Sequence, residues 1–290
     1  MIIMPINLNI LVKNIQKSFK ALTNLLKEQA NGPYHIIMIQ EAPYLEIRKA
    51  THIDFPKGIP IIGLPINNSW TNIPPPNTST LQVGIYVWSY IFNKFHFSMD
   101  HDLFHHNNIL TLFITHPPTK TTVLYVNLYE NPNRSSPAPQ RGATLALLQN
   151  LYKLTNLFFI CSNFNLHCSF WDKQCHENPQ IAWDLINKLS NKGLSLVNDD
   201  SIPTFYQTHA QPQVNDLIWI HQDTYLNLTV DIEYNISKHQ KDHQYLNIQF
   251  GNQTDMSHQF SQLPAEHRYI KADSDAEGDL ILEVLQKTQS

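Results

Sequence analysis

Short apolar runs recur from Leu8 to Phe250 and are separated by Pro, Asn and charged residues. Runs of this length are typical of β-strands rather than of helices. Helical spacing of apolar residues is confined to segments 18–29, 140–154 and 179–191. Some strands therefore flank a helix, as in a βα unit, whereas others follow one another directly, as in an antiparallel meander. This order predicts an α/β chain with mixed sheets, and it contains no internal repeat.

Proline-rich and serine-rich segments interrupt the series of predicted strands. Residues 42–80 carry many prolines, so we expect loops there around one short strand. A second loop, rich in Pro and Ser, is predicted over 131–139. The predicted strands cover residues 8–12, 35–39, 59–63, 83–88, 92–97, 109–115, 121–127, 157–161, 194–198, 216–220, 226–231 and 245–250.

The chain divides into a folded part and a tail. Of its 290 residues, 42% are hydrophobic, which is enough for a sizeable core. The strand pattern ends at Phe250, and the following segment is polar and then acidic. We expect one domain over 1–250 and a polar, acidic tail over 251–290, with a short helix near Leu280–Gln286.

Charge and apolar content exclude several classes of protein. The net charge of −4 provides no global basic field that would attract nucleic acid, although a local basic groove remains open. No apolar run approaches the roughly 20 residues of a membrane span, and the N-terminus does not resemble a secretory signal. Cys161, Cys168 and Cys175 lack metal-ligand spacing, so we expect no structural zinc. We expect reduced thiols in an intracellular protein of the cytoplasm or nucleus; the oligomeric state stays open.

Polar motifs lie where the predicted strands begin or end, which are favoured positions for catalytic residues. Each motif alone is ordinary turn chemistry, since Asn and Asp are common turn residues. Their ordered series is the informative feature. In chain order the motifs are Asn14, Gln40-Glu41, Tyr129, Asn163-Phe164-Asn165, Asp216 and Asp242-His243.

This series resembles the endonuclease/exonuclease/phosphatase superfamily, which has the fold of deoxyribonuclease I. Within it, the sequence is most similar to the endonuclease domains of LINE-type retrotransposons, especially fungal copies. The resemblance covers nearly all of the segment 8–250. It implies a four-layer α/β (α+β) sandwich, in which two mixed β-sheets pack face to face and are flanked by helices. The strings that carry it are LVKNIQKSFKALTNLL, IIMIQEAPY, VLYVNLYENP, SNFNLHCSFWD, GLSLVNDDSIPTF, VNDLIWI and KDHQYLNIQF.

On the metal side, the resemblance implies a role for two residues. Glu41 matches the family's Gln-Glu motif, whose carboxylate holds Mg²⁺, with Mn²⁺ as a substitute. Asn14 matches an asparagine beside the metal and the phosphate. A hard cation takes oxygen ligands and keeps several waters, so one carboxylate plus a substrate phosphate is a reasonable ligand set.

On the phosphate side, the resemblance assigns catalytic or binding roles to the later motifs. Tyr129 matches a tyrosine that donates to the scissile phosphate, and Asn165 matches an asparagine that positions phosphate and nucleophile. Asp216 matches the aspartate that orients the catalytic histidine. Asp242 and His243 match the terminal Ser-Asp-His motif, whose histidine stabilises charge developing on the phosphate. The implied substrate is DNA.

The departures from the family pattern concern the same site. Asn163 replaces the aspartate of Gly-Asp-Phe-Asn that is usually assigned to activate water, and an amide cannot accept a proton at neutral pH. A positioned general base contributes roughly 10²–10⁴-fold to a rate. Ser162, Lys241 and Asn215 also differ from the family residues. We therefore expect DNA endonuclease activity that is weakened or lost; the alternatives are an inactive nucleic-acid-binding remnant of a retrotransposon and a phosphatase of the same superfamily.

The loop after Asn165 contains His167, Trp171 and Asp172. It is interpreted either as a substrate-facing loop or as a long loop anchored by a packed tryptophan. We favour the packing role for Trp171.

Overall fold

The strands and helices alternate largely as the sequence predicts. A computed structural model describes residues 8–49, 60–65, 67–73, 82–100, 103–104, 106–132, 142–154, 158–198, 200, 202–206, 211–221, 228–233 and 243–250. The predicted tail over 251–290 lies outside the described residues. The helices are α1 (Phe19–Glu28), α2 (Ala143–Asn150) and α3 (Gln180–Asn191). The strands are β1 (Leu8–Asn14), β2 (Ile36–Gln40), β3 (Leu45–Lys49), β4 (Pro60–Gly63), β5 (Trp70–Ile73), β6 (Val83–Trp88), β7 (His96–Ser98), β8 (Ile109–His116), β9 (Thr121–Tyr129), β10 (Phe158–Asn163), β11 (Leu194–Leu196), β12 (Asp216–His221), β13 (Leu228–Glu233) and β14 (Tyr245–Phe250).

Two six-stranded sheets dominate the architecture, with strand orders β13-β14-β1-β2-β6-β5 and β11-β12-β10-β9-β8-β7, and β3 and β4 form a small separate sheet. The first sheet is antiparallel except for the pair β1/β2, whose crossover contains α1. The second is antiparallel except for β9/β10, whose crossover contains α2. Both sheets are therefore mixed, as the sequence predicts.

The hydrophobic core forms three layers, which confirms the four-layer sandwich. Between the sheets, Ile10 and Met38 of the first sheet are buried in one cluster with Tyr125 and Phe159 of the second. Outside the first sheet, the apolar face of α1 packs on β1, β2 and β6. Outside the second sheet, α2 and α3 pack on strands β9, β10 and β12.

Helix α1 shows why the local sequence folds as predicted. Ser18 is its N-cap, and the Ser18 hydroxyl accepts a hydrogen bond from the Ala21 N–H. Leu22, Leu25 and Leu26 then fall on one face at helical spacing and are buried.

Buried amides connect the two sheets. Asn127 on β9 is fully buried, and its Nδ2 donates to the carbonyl oxygens of Ile39 (2.9 Å) and Gly84 (3.0 Å) on the opposite sheet. An apolar side chain here would leave the interface without this directional contact. The contact therefore fixes how the ends of β2 and β9 lie relative to each other.

The structure corrects the sequence analysis in the proline-rich and aromatic segments. The predicted strand over 92–97 is wrong: a 3₁₀ turn covers Ser89–Asn93, and only β7 is extended. The apolar residues that suggested a strand include Phe92, which lies in the turn and packs its ring against Phe97 of β7. Residues 42–80 contain β3 and β5 in addition to the one predicted strand. Polar residues within β5 hide its alternation, although Trp70 and Ile73 at its ends are buried.

None of the helices in the described part of the chain has the length and apolar character that a membrane span requires.

Candidate active site

Strand register brings the polar motifs to one edge of the sandwich. In the first sheet, Asn14 at the end of β1 is paired with Gln40 at the end of β2. In the second sheet, Asn163 at the end of β10 is paired with Tyr129 on one side and Asp216 on the other. Motifs that are far apart in sequence therefore surround one cleft, which Glu41 lines from one side and Asn165 and His243 from the other.

The cleft has a volume of about 420 Å³ and is lined by side chains from both sheets. Several predicted site residues line it, and several others were not predicted from the sequence. The predicted ones are Glu41, Tyr129, Asn165 and His243. The residues without an assigned role in the sequence analysis are Gln16, Pro132, Phe205 and Gln213, and the remaining lining residues are His167 and Asn215.

On the side of the first sheet, Asn14 orients the carboxylate of Glu41. Asn14 Nδ2 donates to Glu41 Oε1 at 2.9 Å, while Asn14 Oδ1 accepts from the Gln16 N–H at 2.9 Å. This pair of bonds fixes the amide of Asn14 and therefore one oxygen of the carboxylate.

Three cleft residues have left-handed backbone conformations. The φ angles are 51° at Gln16, 48° at Glu41 and 46° at Asn165. Asparagine tolerates this region, whereas for glutamine and glutamate it costs on the order of 1–3 kcal/mol each. At Glu41 the surrounding structure holds this conformation, since the Glu41 carbonyl accepts from the Lys17 N–H at 2.8 Å. Strain of this kind concentrates at functional sites.

Tyr129 lies between the two sides of the cleft, and its hydroxyl is hydrogen-bonded to the side chains of Glu41 and Asn165. Burial raises the pKa of Tyr129, and the negative charge of Glu41 raises it further. The phenol is therefore protonated at neutral pH and offers an O–H donor at the cleft wall.

Asp216 and His243 form a buried pair on the side of the second sheet. His243 Nδ1 and Asp216 Oδ2 are 2.8 Å apart, and the two side chains are 6% and 4% exposed. With Asp216 ionised, Nδ1 carries the shared proton, so Nε2 is the ring nitrogen left for the cleft. The ring of Phe205 packs against the imidazole with a centroid separation of 4.6 Å.

Two further residues hold this pair in place, and sequence reasoning did not assign them a role. Thr204 is fully buried, and its Oγ1 accepts from the N–H groups of Asn215 (3.0 Å) and Asp216 (2.9 Å). The buried Lys13 donates from Nζ to the carbonyl oxygen of His243 and lies over the ring of Tyr245. A lysine inside an apolar strand was the sequence signal that could have drawn attention to Lys13.

Asn163 lies below the cleft rather than in its wall. Its side chain is almost fully buried, and its Oδ1 accepts from the Asn165 N–H at 3.0 Å. Asn165 in turn donates from Nδ2 to the carbonyl oxygen of Glu130. The amide of Asn163 therefore shapes the turn that carries Asn165, and it supplies no carboxylate.

The donor set of the cleft suits Mg²⁺ better than a transition metal. No group of three or more His, Cys, Asp or Glu side chains that could hold a metal ion occurs among the described residues. Glu41 offers one carboxylate to the cleft, and the hydroxyl of Tyr129 and the amide of Asn165 lie in the same hydrogen-bonded group. Mg²⁺ is commonly held by one or two carboxylates and completed by waters and substrate phosphates. The residues present therefore fit a weakly held Mg²⁺.

The structure brings together six of the predicted residues: Asn14, Glu41, Tyr129, Asn165, Asp216 and His243. Asn163 lies next to them in the β10/β12 register. The predicted site residue Asp242 lies outside the described residues. Trp171 is fully buried, and its Nε1 donates to the carbonyl oxygen of Leu166 at 3.3 Å, which agrees with the packing role.

No family model and no curated protein sequence matches this chain. Solved structures do match. The endonuclease domain of TRAS1, a telomere-specific non-LTR retrotransposon, is 16% identical with a TM-score of 0.63, over 85% of this chain and 99% of that one. The AP endonuclease LMAP from Leishmania major is 11% identical with a TM-score of 0.61, over 85% of this chain and 88% of that one. A 3′ phosphatase from Neisseria, an Asp-to-Asn variant bound to a product DNA hairpin, is 15% identical with a TM-score of 0.52, over 84% and 99%. These similarities show that the chain has the DNase I-like endonuclease/exonuclease/phosphatase fold.

Proposed function

We propose that this chain is a DNA endonuclease-like phosphodiesterase whose hydrolytic step is Mg²⁺-dependent and slowed by the residue at position 163. The observation that carries the proposal is the buried Asp216–His243 pair, which opens onto the same cleft as Glu41. A histidine oriented by a buried carboxylate and facing a metal-type carboxylate is suited to phosphate chemistry.

Each cleft residue has a defined part in this proposal. Glu41 would hold the metal, with Asn14 orienting its carboxylate. A Mg²⁺ ion held there would supply positive charge that neutralises the phosphate and polarises its P–O bonds. Tyr129, whose raised pKa keeps the phenol protonated, turns its single O–H from the Glu41 carboxylate to a phosphate oxygen when the substrate binds. His243, oriented by Asp216, presents Nε2 to the oxygen that gains negative charge.

The slow step follows from the chemistry of Asn163. An attacking water must lose a proton, and Asn163 offers only an amide whose oxygen already accepts from the Asn165 N–H. Loss of a positioned base lowers a rate roughly 10²–10⁴-fold. We infer that this chain derives from a LINE-type retrotransposon endonuclease in which binding geometry persists and water activation has weakened.

DNA is the proposed substrate because of the site and the fold together. The cleft is an open groove with a stacking ring, Phe205, beside His243, which suits a strand better than a compact metabolite. Two of the similar structures are named as endonucleases, and a third was solved with a DNA product.

A plasmid-nicking assay with Mg²⁺ tests the proposal. Conversion of supercoiled to open-circular plasmid is measured for the parent chain, Glu41→Gln, His243→Ala and the control Tyr152→Ala, whose side chain is 72% exposed. We expect slow nicking by the parent and the control, and loss of at least tenfold in both site variants. Nicking that survives both site substitutions would overturn the assignment of this cleft.

A second candidate function, DNA binding without hydrolysis, is favoured by Asn163 itself. Binding of a labelled duplex oligonucleotide distinguishes the two functions. Retained binding with no nicking supports the binding module. Hydrolysis of phosphoinositide substrates in the absence of DNA binding would instead indicate the phosphatase alternative.

A further inference from the structure

Gln40 occupies an unusual position at the interface of the two halves of the site. It is the last residue of β2, it directly precedes Glu41, and it is fully buried. Its backbone belongs to the first sheet, where it pairs with Asn14 and Val83. Its side chain, however, reaches the second sheet, and a buried amide there must find hydrogen-bonding partners.

The partners of the Gln40 side chain are two residues of the second sheet. With its amide nitrogen towards Asp216, Nε2 donates to Asp216 Oδ1 at 3.3 Å and Oε1 accepts from the Asn163 N–H at 3.2 Å. The opposite orientation places the amide oxygen against the carboxylate and leaves Nε2 only a 3.5 Å approach to Asn127 Oδ1. The first orientation satisfies both ends of the amide and is the one adopted.

These contacts use both oxygens of Asp216. His243 Nδ1 lies on Oδ2, and Gln40 Nε2 lies on Oδ1. A carboxylate held at both oxygens cannot rotate about its Cβ–Cγ bond without breaking one hydrogen bond. The orientation of the imidazole therefore depends on Gln40 as well as on Asp216.

We propose that Gln40 is a positioning residue that couples the metal side of the cleft to its histidine side. Residues 40 and 41 act as one bridging dipeptide: the Glu41 side chain serves the cleft, and the Gln40 side chain fixes Asp216 and the end of β10. The expected consequence of losing Gln40, slower phosphodiester hydrolysis, rests on the proposed function. Its geometric part, the fixed tautomer and orientation of His243, does not require activity.

Two substitutions remove the hydrogen bonds of the Gln40 side chain. Gln40→Met preserves side-chain length and removes both bonds. Gln40→Leu also removes both bonds, with a shorter apolar side chain. Gln82→Met is the matched control, because Gln82 is also a buried glutamine and its Oε1 has no hydrogen-bond partner.

The first readout is ¹H–¹⁵N NMR of the histidine imidazoles without Mg²⁺ or DNA, with the His243 signals identified from their absence in His243→Ala. We expect one tautomer protonated at Nδ1 in the parent and in Gln82→Met. In Gln40→Met and Gln40→Leu, we expect shifted signals that indicate a mixture of tautomers. If Gln40→Met does not fold, Gln40→Leu decides the question, and an unchanged His243 spectrum in the folded variants overturns the proposal.

The second readout is steady-state nicking. Loss of a partner that orients a site ligand typically costs 10–100-fold, and we expect this loss in kcat with KM unchanged, since Gln40 does not line the cleft. A change confined to KM would contradict a positioning role. A parent chain without nicking activity would refute the proposed function alone, because the imidazole spectrum would still test Gln40.

Discussion

Replacing Asn163 by aspartate tests whether the missing base is what limits this site. The two side chains are nearly isosteric, so Asn163→Asp changes charge far more than packing at a position that is 1% exposed. One carboxylate oxygen can keep the hydrogen bond from the Asn165 N–H, now 3.0 Å long, and the second becomes available to accept a proton from water. The expected result is faster nicking with an unchanged fold.

The substitution has two opposing effects, a gain in the rate of hydrolysis and a loss of stability. A general base contributes roughly 10²–10⁴-fold, which corresponds to about 3–5 kcal/mol of barrier. The loss of stability comes from Asp216 on β12, which is the register partner of Asn163 on β10. Side chains directly opposite each other in an antiparallel pair lie about 5 Å apart. Two carboxylates at that separation repel by about 3 kcal/mol at an effective dielectric constant of ~20. The contact between His243 and Asp216 offsets part of this repulsion, so we expect a destabilisation of at most about 3 kcal/mol. The same repulsion raises the pKa of the introduced carboxyl, which suits a base near neutral pH.

The assay compares single-turnover nicking by the parent, Asn163→Asp and Asn163→Ala. The alanine variant removes the amide without adding a base, so we expect it to show no gain. Adding His243→Ala to Asn163→Asp should abolish the gain, because both residues act on one transition state. If Asn163→Asp has a native circular dichroism spectrum but nicks no faster than the parent, the general-base argument is refuted and the DNA-binding function gains support.

Three further predictions concern the metal, the pH dependence and the packing of the fold. Mn²⁺ used as a probe should bind weakly to the parent and not to Glu41→Gln in an electron paramagnetic resonance titration, and unchanged binding would remove Glu41 from the site. Burial raises the pKa of Tyr129, so its contribution to stability is complete below the ordinary tyrosine pKa of about 10 and is lost as the pH rises above it. Between about pH 9 and about pH 11, the free energy of unfolding measured with urea should therefore fall more for the parent than for Tyr129→Phe. Equal falls in the two chains would contradict this. A chain that ends at Phe250 should keep its Tm within a few degrees in a thermal melt, whereas a drop of more than ~10 °C would mean that the remaining segment packs on the domain.

Local sequence determined most of the elements of this fold, and the ordered polar motifs predicted several residues of the candidate site. Strand β6 and helix α1 follow from apolar periodicity and a serine N-cap, which are properties of a few neighbouring residues. The strand-end motifs could be ordered along the chain before any contact was known. Periodicity failed where short edge strands carry polar residues, as in β5.

Tertiary structure alone decided which side chains meet. Phe205 reaches His243 through an isolated bridge between distant segments, and nothing in the local sequence of either residue encodes that contact. Lys13 on β1 contacts the carbonyl of His243, which precedes the neighbouring strand β14. The bridge from Gln40 to Asp216 depends on how far apart two sheets pack and at what level each ends. Such contacts between sheets are set by the global packing of the core, because strand periodicity specifies which face a side chain takes but not what it finds there.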